Sequence, residues 1–403
     1  MVPQESSADL SAELVLVFIQ NILWDVGMPQ YQKLLGLIAM LLSIGACSDS
    51  GDLALSEPLP PPEEPGIFGS LAVGKMDFEV VDASRQDRWI YADVWYPVDA
   101  QDAVSEPLSL YPLLGALGIN AQIAVDNLMV SSERKMPLLI FSHGFGGTNT
   151  QSTPLMETLA SHGFVVVSPA HTGNTQDDRS DPNALENRVP DISFMIDTML
   201  ARNADPLDAF YDRIDPDSIG VLGHSVGGAT SLGMALGMAG APADFRVDAI
   251  APISAAVAGN FVAEDFASID VPMLLLGGTL DTSVPITLND LVFANANLPG
   301  KIFNVGIEGA THTHFANICA IANFLLDLGL TVVQWPSVGA AALIEPYNIT
   351  CSPEAFPIEE AVRLQNVYIV SFFKAFLLDD ARYLEFLSEV YAATEPAILF
   401  EAK

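Results

Sequence analysis

The sequence predicts an α/β fold: an open, doubly wound sheet of eight mostly parallel strands with helices on both faces. Two observations lead to this prediction. Short β-branched or apolar runs alternate along the chain with stretches of helical pattern. The middle runs, such as 137–141 and 164–167, are continuously apolar, which is typical of parallel strands buried on both faces. The predicted strands lie near 75–82, 89–96, 137–142, 163–168, 218–223, 248–253, 272–277 and 301–306.

The first two strands and the helices complete this prediction. The strands at 75–82 and 89–96 alternate more between apolar and polar residues, which predicts an antiparallel pair at the edge of the sheet. Parallel strands need crossover connections, and helices usually supply them. The helices are predicted at 152–161, 189–203, 226–239, 287–297 and 360–377.

Composition limits the classes of partner. The chain has 403 residues, 50% of them hydrophobic, and a formal net charge of −34 from 50 acidic and 16 basic residues. The length is ample for one large core. The negative field repels phosphate backbones, so we expect no nucleic-acid partner, and it also disfavours strongly anionic substrates. The oligomeric state does not follow from the sequence.

The N-terminal region predicts export. Residues 34–46 form an apolar run that suits a signal peptide and is too short to span a bilayer, which needs about 20 residues. The residues 44–47, ending in Cys47, resemble the lipobox of bacterial lipoproteins. That resemblance implies lipid attachment at Cys47 and a bacterial cell-envelope lipoprotein that faces the periplasm or lies on the cell surface. The anchor would be the only contact with a membrane.

The residues before this run fit an n-region poorly. Residues 1–27 carry acids and neither Lys nor Arg, so we treat them as a doubtful extension. With Met28 as the start, the signal peptide is 28–46. The alternative is a short membrane-associated helix at 12–24. Residues 47–66 are rich in proline and acids and predict an extended tether, and a single catalytic domain is expected over 67–403.

The three cysteines divide naturally into two roles. An odd number of cysteines in an exported protein leaves one thiol with a separate task, which Cys47 fulfils as the lipid attachment site. Cys319 and Cys351 lie near one another in the sequence, and an oxidising compartment permits a disulfide between them.

The first candidate catalytic residue is a serine flanked by glycines. Gly223 to Gly227, with Ser225 at the centre, follows a predicted strand and opens a predicted helix. A nucleophilic hydroxyl must project from a sharp, strained turn, and flanking glycines let the neighbouring backbone approach it. This position predicts a nucleophile rather than an ordinary glycine-rich turn.

A second glycine-rich segment, 143–147, ends the strand predicted at 137–142. Acyl transfer places negative charge on a carbonyl oxygen, and backbone N–H groups must already point toward it. The predicted oxyanion donors are the amides of Phe145 and Val226. His143 precedes Ser225 in the chain and is expected to brace this loop by hydrogen bonds.

Candidates for the acid and the base follow two further strands. Asp281 comes directly after the strand at 272–277, where an acid can orient an imidazole. Asp270 is its rival, but it precedes that strand and should lie at the opposite edge of the sheet. His312 and His314 are the two histidines downstream of Asp281. They could also hold a metal, but no accompanying cluster completes four ligands, so no metal site is predicted.

Together these motifs resemble the platelet-activating-factor acetylhydrolase-like branch of the α/β-hydrolases, which is grouped with dienelactone-hydrolase-like and polyester-degrading bacterial esterases. The resemblance covers about 68–392, and its chain order is Ser, Asp, His. It implies the α/β-hydrolase fold and a triad of Ser225, Asp281 and His312, because the family's histidine follows a Gly-Ala-x stretch. The matching motifs lie at 81–85, 94–97, 141–147, 159–167, 223–228, 277–281 and 309–312.

The expected function is a serine carboxylic-ester hydrolase that works through an acyl-enzyme and needs no cofactor. Its substrate would be a small-molecule, lipid or polymer ester. The presence of Ser225 argues against a dienelactone as main substrate, since dienelactone hydrolases use cysteine. Two alternatives remain: a polyester or phospholipid acyl hydrolase similar to platelet-activating-factor enzymes, and an inactive lipid-binding lipoprotein.

Overall fold

A computed structural model of the protein describes residues 60–114 and 117–403. Within these residues, eleven strands form one sheet in the order β11-β10-β9-β8-β7-β5-β6-β2-β1-β4-β3. The strands are β1 Ala72–Asp82, β2 Arg88–Val98, β3 Leu108–Leu114, β4 Leu117–Asp126, β5 Met136–Ser142, β6 Val165–Pro169, β7 Ile214–His224, β8 Ala249–Ile253, β9 Met273–Gly278, β10 Ile302–Ile307 and β11 Ile398–Ala402.

The centre of the sheet agrees with the sequence prediction. The six strands β6, β5, β7, β8, β9 and β10 pair in parallel. Strands β5 and β9 are buried along their whole length, as their continuous apolar runs predict. All eight predicted strands are present, and the α/β-hydrolase fold is confirmed.

The edges of the sheet differ from the prediction. Strands β1 and β2 are antiparallel, as expected, but they are not the edge, because β1 also pairs in parallel with β4. Strands β3, β4 and β11 bring the number in the described residues from eight to eleven. The β3–β4 pair has irregular register on both sides of Pro112, and the buried Glu157 carboxylate accepts hydrogen bonds from the backbone N–H groups of 122–124. These irregularities weaken the alternating pattern that reveals a strand.

Helices cover both faces of the sheet. One face packs against Leu155, Leu159 and Phe372, and the other against Ile192 and Leu232. All five predicted helices are present. The helices are α1 Ala100–Ala103, α2 Thr153–Ser161, α3 Arg188–Ala204, α4 Val226–Leu236, α5 Thr287–Asn295, α6 Ile318–Asp327, α7 Ile344–Thr350, α8 Ile358–Leu377 and α9 Glu389–Ala392.

Helices α6 and α7 belong to a segment that follows the last parallel strand. It has a small core of its own, formed by Ala322, Leu325 and Trp335. The predicted disulfide between Cys319 and Cys351 closes this segment. No single helix in the described ranges has both the length and the apolarity to cross a bilayer. The helix Ile318–Asp327 and the 3₁₀ helix Val332–Val338 meet these criteria only together, across a bend of 95°.

The predicted extension 1–27, the predicted signal peptide 28–46 and Cys47 lie outside the described residues. The last residues of the predicted tether are described, and they touch the domain. Glu63 accepts a hydrogen bond from the Ser70 N–H at 2.5 Å. A Cβ on Gly66 would lie 2.9 Å from Cγ2 of Val367 in α8. Residues 63–66 therefore pack on the domain.

Candidate active site

Ser225 occupies a strained turn between β7 and α4. Its backbone has φ 60° and ψ −119°, a conformation that a non-glycine residue adopts only when its surroundings enforce it. A Cβ on Gly227 would lie 1.8 Å from the carbonyl oxygen of Ser142 at the end of β5. The glycine is needed because the first turn of α4 lies against the neighbouring strand, and this contact lets the serine project from a tight turn.

The end of the adjacent strand β8 fixes this turn. The Ser225 N–H donates to the Ile253 carbonyl at 2.9 Å. The Ser225 carbonyl accepts from the Ala256 N–H at 3.0 Å. Both the backbone N–H and the carbonyl of Ser225 are therefore hydrogen-bonded. The residue itself is partly exposed.

The glycine-rich loop after β5 lies beside the serine. A Cβ on Gly144 would be 3.4 Å from the Ser225 Cβ. Within residues 60–114 and 117–403, neither the Phe145 N–H nor the Val226 N–H donates to a protein acceptor. The roles of Phe145 and Val226 as oxyanion donors stay a prediction.

Asp281 and His312 form a hydrogen-bonded pair. The His312 Nδ1–H donates to Asp281 Oδ2 at 2.7 Å. The other Asp281 oxygen accepts from the N–H groups of Ser283 and Val284 at 2.9 and 2.7 Å. Burial alone would raise the pKa of Asp281, but the hydrogen bond and charge of His312 and these N–H donors outweigh it and lower that pKa. Asp281 is thereby held as a carboxylate.

The loops that carry this pair are joined at the ends of β9 and β10. The Leu280 N–H donates to the Ala310 carbonyl at 2.9 Å, and the Gly309 N–H donates to Thr279 Oγ1 at 3.0 Å. A Cβ on Gly278 would be 2.3 Å from the Ala310 carbonyl oxygen, so this close approach requires a glycine there. The contact between the loops brings the acid and the base together.

His314 has a different environment from His312. Its Nδ1 accepts from the Thr311 N–H at 2.9 Å, and its Nε2–H donates to the Phe356 carbonyl at 3.0 Å. Burial lowers the pKa of His314. With both ring nitrogens engaged in these contacts, His314 holds its loop, and the ring that reaches Asp281 is that of His312. In the described part of the chain, no three His, Cys, Asp or Glu side chains cluster as metal ligands.

Gln151 is a site residue that the sequence analysis missed. Its Oε1 accepts from the Gly144 N–H at 3.0 Å, and its Nε2 donates to His224 Nδ1 at 3.0 Å. The Nε2–H of His224 in turn donates to the His312 carbonyl at 3.0 Å. Gln151 and His224 therefore connect the glycine loop, the serine turn and the histidine loop. No motif marks Gln151, because its bond to His224 joins residues that are 73 positions apart in sequence.

His224 leads to a prediction about acid stability. Burial and then the neighbouring His312 lower its pKa from 6.5 to about 3. Below pH 6.5 the unfolded chain gains a proton that the folded chain does not, so stability falls as pH falls. We expect this imidazole alone to remove about 2 kcal/mol of unfolding free energy between pH 7 and pH 5.

Urea unfolding of the wild type and of His224→Gln at pH 7 and pH 5 measures this contribution. The other titrating groups are common to both proteins, so the difference between their pH slopes reports His224. The wild type should lose more stability than the variant over this interval. Equal pH slopes for the two proteins would contradict the prediction.

A buried network supports the glycine loop from behind. Fully buried Arg188, from α3, donates to the carbonyls of His143 and Gly144, the latter at 3.0 Å. His143 donates from Nδ1 to the Gly144 carbonyl at 2.8 Å and accepts from the His171 N–H at 3.1 Å. The predicted bracing role of His143 is thus seen as hydrogen bonds. The role of Arg188 was not foreseen, because its partners, which also include the Asn174 side chain, lie on loops that only the fold brings to it.

A groove of about 550 Å³ is lined in part by residues that follow His312 on its loop. Its lining includes Ser152, His314, Phe315 and Asn366, but not Ser225, Asp281 or His312. Ser225 and His312 are partly exposed. The candidate site is therefore defined by the geometry of its side chains, at an accessible surface next to the groove.

Comparison with known proteins identifies the family of the chain. The model of the family described as PET hydrolase-like matches residues 130–336, more than half of the chain. The model for platelet-activating factor acetylhydrolase, isoform II, matches residues 72–180. Both fall within the range of the predicted resemblance, which is confirmed at the level of an α/β-hydrolase serine esterase.

The chain is also similar to bacterial cutinases. Cutinase est1 of Thermobifida alba is 31% identical over 231 residues, which are 53% of this chain and 70% of that protein. Cutinase 2 of Thermobifida cellulosilytica is 31% identical over 175 residues, which are 43% of this chain and 59% of that protein. The match thus spans between about half and about 70% of the length of the matched cutinases. Among solved structures, a ferulic acid esterase from Streptomyces cinnamoneus has a TM-score of 0.61 at 23% identity, covering 85% of this chain and 99% of the other, which shows a shared fold.

Proposed function

The chain belongs to the PET hydrolase-like family of α/β-hydrolase serine esterases, and we propose that it hydrolyses carboxylic esters through Ser225, His312 and Asp281. One observation carries this proposal. The His312 imidazole is hydrogen-bonded to the buried Asp281 carboxylate at 2.7 Å, and its backbone is tied through His224 to the strained turn of Ser225. In serine hydrolases a carboxylate orients the imidazole that takes the proton of the serine, and the bond between His312 and Asp281 supports this role for His312.

The proposed reaction has two halves. His312 Nε2 takes the proton of the Ser225 hydroxyl while Oγ attacks the ester carbonyl. The N–H groups of Phe145 and Val226 stabilise the oxyanion, and His312 then gives its proton to the departing alkoxide, which leaves as an alcohol. Water attacks the acyl-enzyme with His312 again as base, so the acid is released and Ser225 is restored. Asp281 stabilises the charged imidazolium in both halves.

Trapping the acyl-enzyme tests this proposal. A slowly hydrolysed p-nitrophenyl ester, mixed with enzyme and quenched in acid, should add one acyl group to the Ser225 peptide in a mass spectrum. The matched control is Ser225→Ala, which should remain unlabelled at the same peptide. A label on another residue, or equal turnover by both proteins, would refute the serine mechanism. An intact wild type that neither labels nor turns over esters would favour the inactive lipid-binding alternative.

For the substrate, we propose esters presented on an apolar surface, including polyesters. The loops that carry the oxyanion donor and the acid each expose a large apolar side chain, Phe145 at 55% and Leu280 at 59%. Family membership and the similarity to proteins named cutinases support the same class. Release of soluble acid from a polyester film, compared with hydrolysis of esters from acetyl to palmitoyl, tests this. A Phe145→Ala and Leu280→Ala double variant should lose film hydrolysis more than hydrolysis of soluble acetyl ester.

We further propose that the protein is exported and anchored through Cys47. The disulfide between Cys319 and Cys351 supports this, because such bonds persist in oxidising compartments. The mass and N-terminal residue of the mature protein test it. A lipid-modified Cys47 at the N-terminus is the expected result, and a mature protein that still begins at Met1 would refute the anchor.

A further inference from the structure

The disulfide-closed segment reaches the loop that carries His312. Its last residue before Cys351 is Thr350, at the end of α7, and only 1% of Thr350 is exposed. The disulfide joins this end of α7 to Cys319 in α6, seven residues after His312 in the chain. Thr350 is therefore fixed covalently next to the histidine loop.

Thr350 contacts that loop on both sides of His312. Its hydroxyl is hydrogen-bonded to Thr311 Oγ1 at 3.1 Å and also to Thr313 Oγ1. Thr311 is the residue before His312, and Thr313 the residue after it. A single buried hydroxyl therefore holds both neighbours of the histidine in sequence.

Phe356, just beyond the disulfide, makes a second set of contacts with the histidine loop. The Phe356 carbonyl accepts the Nε2–H of His314 at 3.0 Å. A Cβ on Gly309 would be 3.3 Å from the Phe356 ring, at a glycine whose φ is +83°. The histidine loop is thus held from one side by Thr279 and Leu280, which precede Asp281, and from the other by Thr350 and Phe356.

We propose that Thr350 is a positioning residue for His312, held in place by the Cys319–Cys351 disulfide. The inference rests on the proposed function, because it concerns the orientation of the base in that reaction. Thr350 acts through Thr311 and Thr313 and does not touch the reacting atoms. Displacement of a catalytic group by about 1 Å can lower the rate about 100-fold, so a modest loosening of this loop has a measurable effect.

The test compares Thr350→Val, Thr350→Ser and Thr331→Val. Valine has the shape of threonine without its hydroxyl, so kcat for a p-nitrophenyl ester should fall about 10- to 100-fold while KM changes less than about twofold. Serine restores the hydroxyl and should recover most of kcat. Thr331 lies in the same segment, where its exposed side chain bonds Gln334, and its valine variant should keep wild-type kcat.

Two further variants test the same contact in case Thr350→Val does not fold correctly. Thr313→Val removes the other end of one hydrogen bond at a less buried position and should reproduce the loss of kcat. The Cys319→Ala and Cys351→Ala double variant should also lower kcat, and adding Thr350→Val to it should cost less than in the wild type, since the two act on one contact.

The outcomes separate this inference from the proposed function. Full kcat in both Thr350→Val and Thr313→Val, or failure of Thr350→Ser to recover activity, would overturn the positioning role. An equal loss in Thr331→Val would also overturn it. If Ser225→Ala is inactive while Thr350→Val is fully active, the positioning inference alone fails; if Ser225→Ala remains active, the proposed function fails.

Discussion

Ser225→Ala should lower kcat/KM for short-chain p-nitrophenyl esters about 10⁴- to 10⁶-fold. The variant lacks the attacking oxygen, and the remaining rate would come from the oxyanion donors and substrate binding. Alanine keeps the Cβ of serine, so the strained backbone at φ 60° should persist and the melting temperature should change by only a few degrees. Initial rates and thermal unfolding of the purified variant measure the two effects.

The matched control is Ser231→Ala in the same helix. The Ser231 hydroxyl is buried and donates to the Gly228 carbonyl at 2.8 Å. Its loss should cost about 1 kcal/mol of stability and leave activity near that of the wild type. A Ser225→Ala variant with more than a few per cent of wild-type activity would contradict the assignment of the nucleophile.

His312→Gln should lower kcat about 10⁴-fold, whereas His314→Gln should lower it at most about 100-fold, as expected for loosening of the histidine loop. The His312 side chain bonds Asp281, and without it the serine has no base to accept its proton. His314 bonds Thr311 and Phe356 instead, so its replacement should mainly reduce stability, by about 1–3 kcal/mol. Steady-state kinetics and urea unfolding distinguish the two outcomes.

These two variants are controls for one another, since they make the same change two residues apart on one loop. Full activity in His312→Gln would overturn its role as the base. An equal loss of kcat in both variants would mean that the loop conformation, rather than the identity of the base, limits the reaction.

The centre of the fold could be predicted because its signals are local. Strands β5, β6, β8, β9 and β10 are buried along their whole length, so hydrophobicity must run continuously along them, and that pattern is visible in the sequence. Strands β3, β4 and β11 were missed. Their pairing depends on distant partners, such as β1 for β4 and β10 for β11, and on Glu157, which comes from α2.

In the candidate site, too, some residues are marked by local sequence patterns and others only by contacts with distant residues. Ser225, Asp281, His312 and the oxyanion loop each follow a strand, in glycine-containing turns that the sequence displays. Gln151, Arg188 and Thr350 carry no such mark. Each has a partner that is distant in sequence: Thr350 and Thr313 are 37 residues apart, Arg188 and His143 are 45 apart, and Gln151 and His224 are 73 apart.

The sequence by itself determined that a serine, an acid and a histidine each follow a strand of a parallel sheet. Because the carboxyl ends of parallel strands lie along one edge, these residues had to share that edge. The order of residues in the sequence also left two histidines, His312 and His314, as candidates for the base. Only the tertiary structure decided between their environments: His312 reaches Asp281, and His314 bonds Thr311 and Phe356. The physical reason is that hydrogen bonds between loops far apart in sequence determine which imidazole bonds Asp281. The order of residues along the chain does not show these bonds.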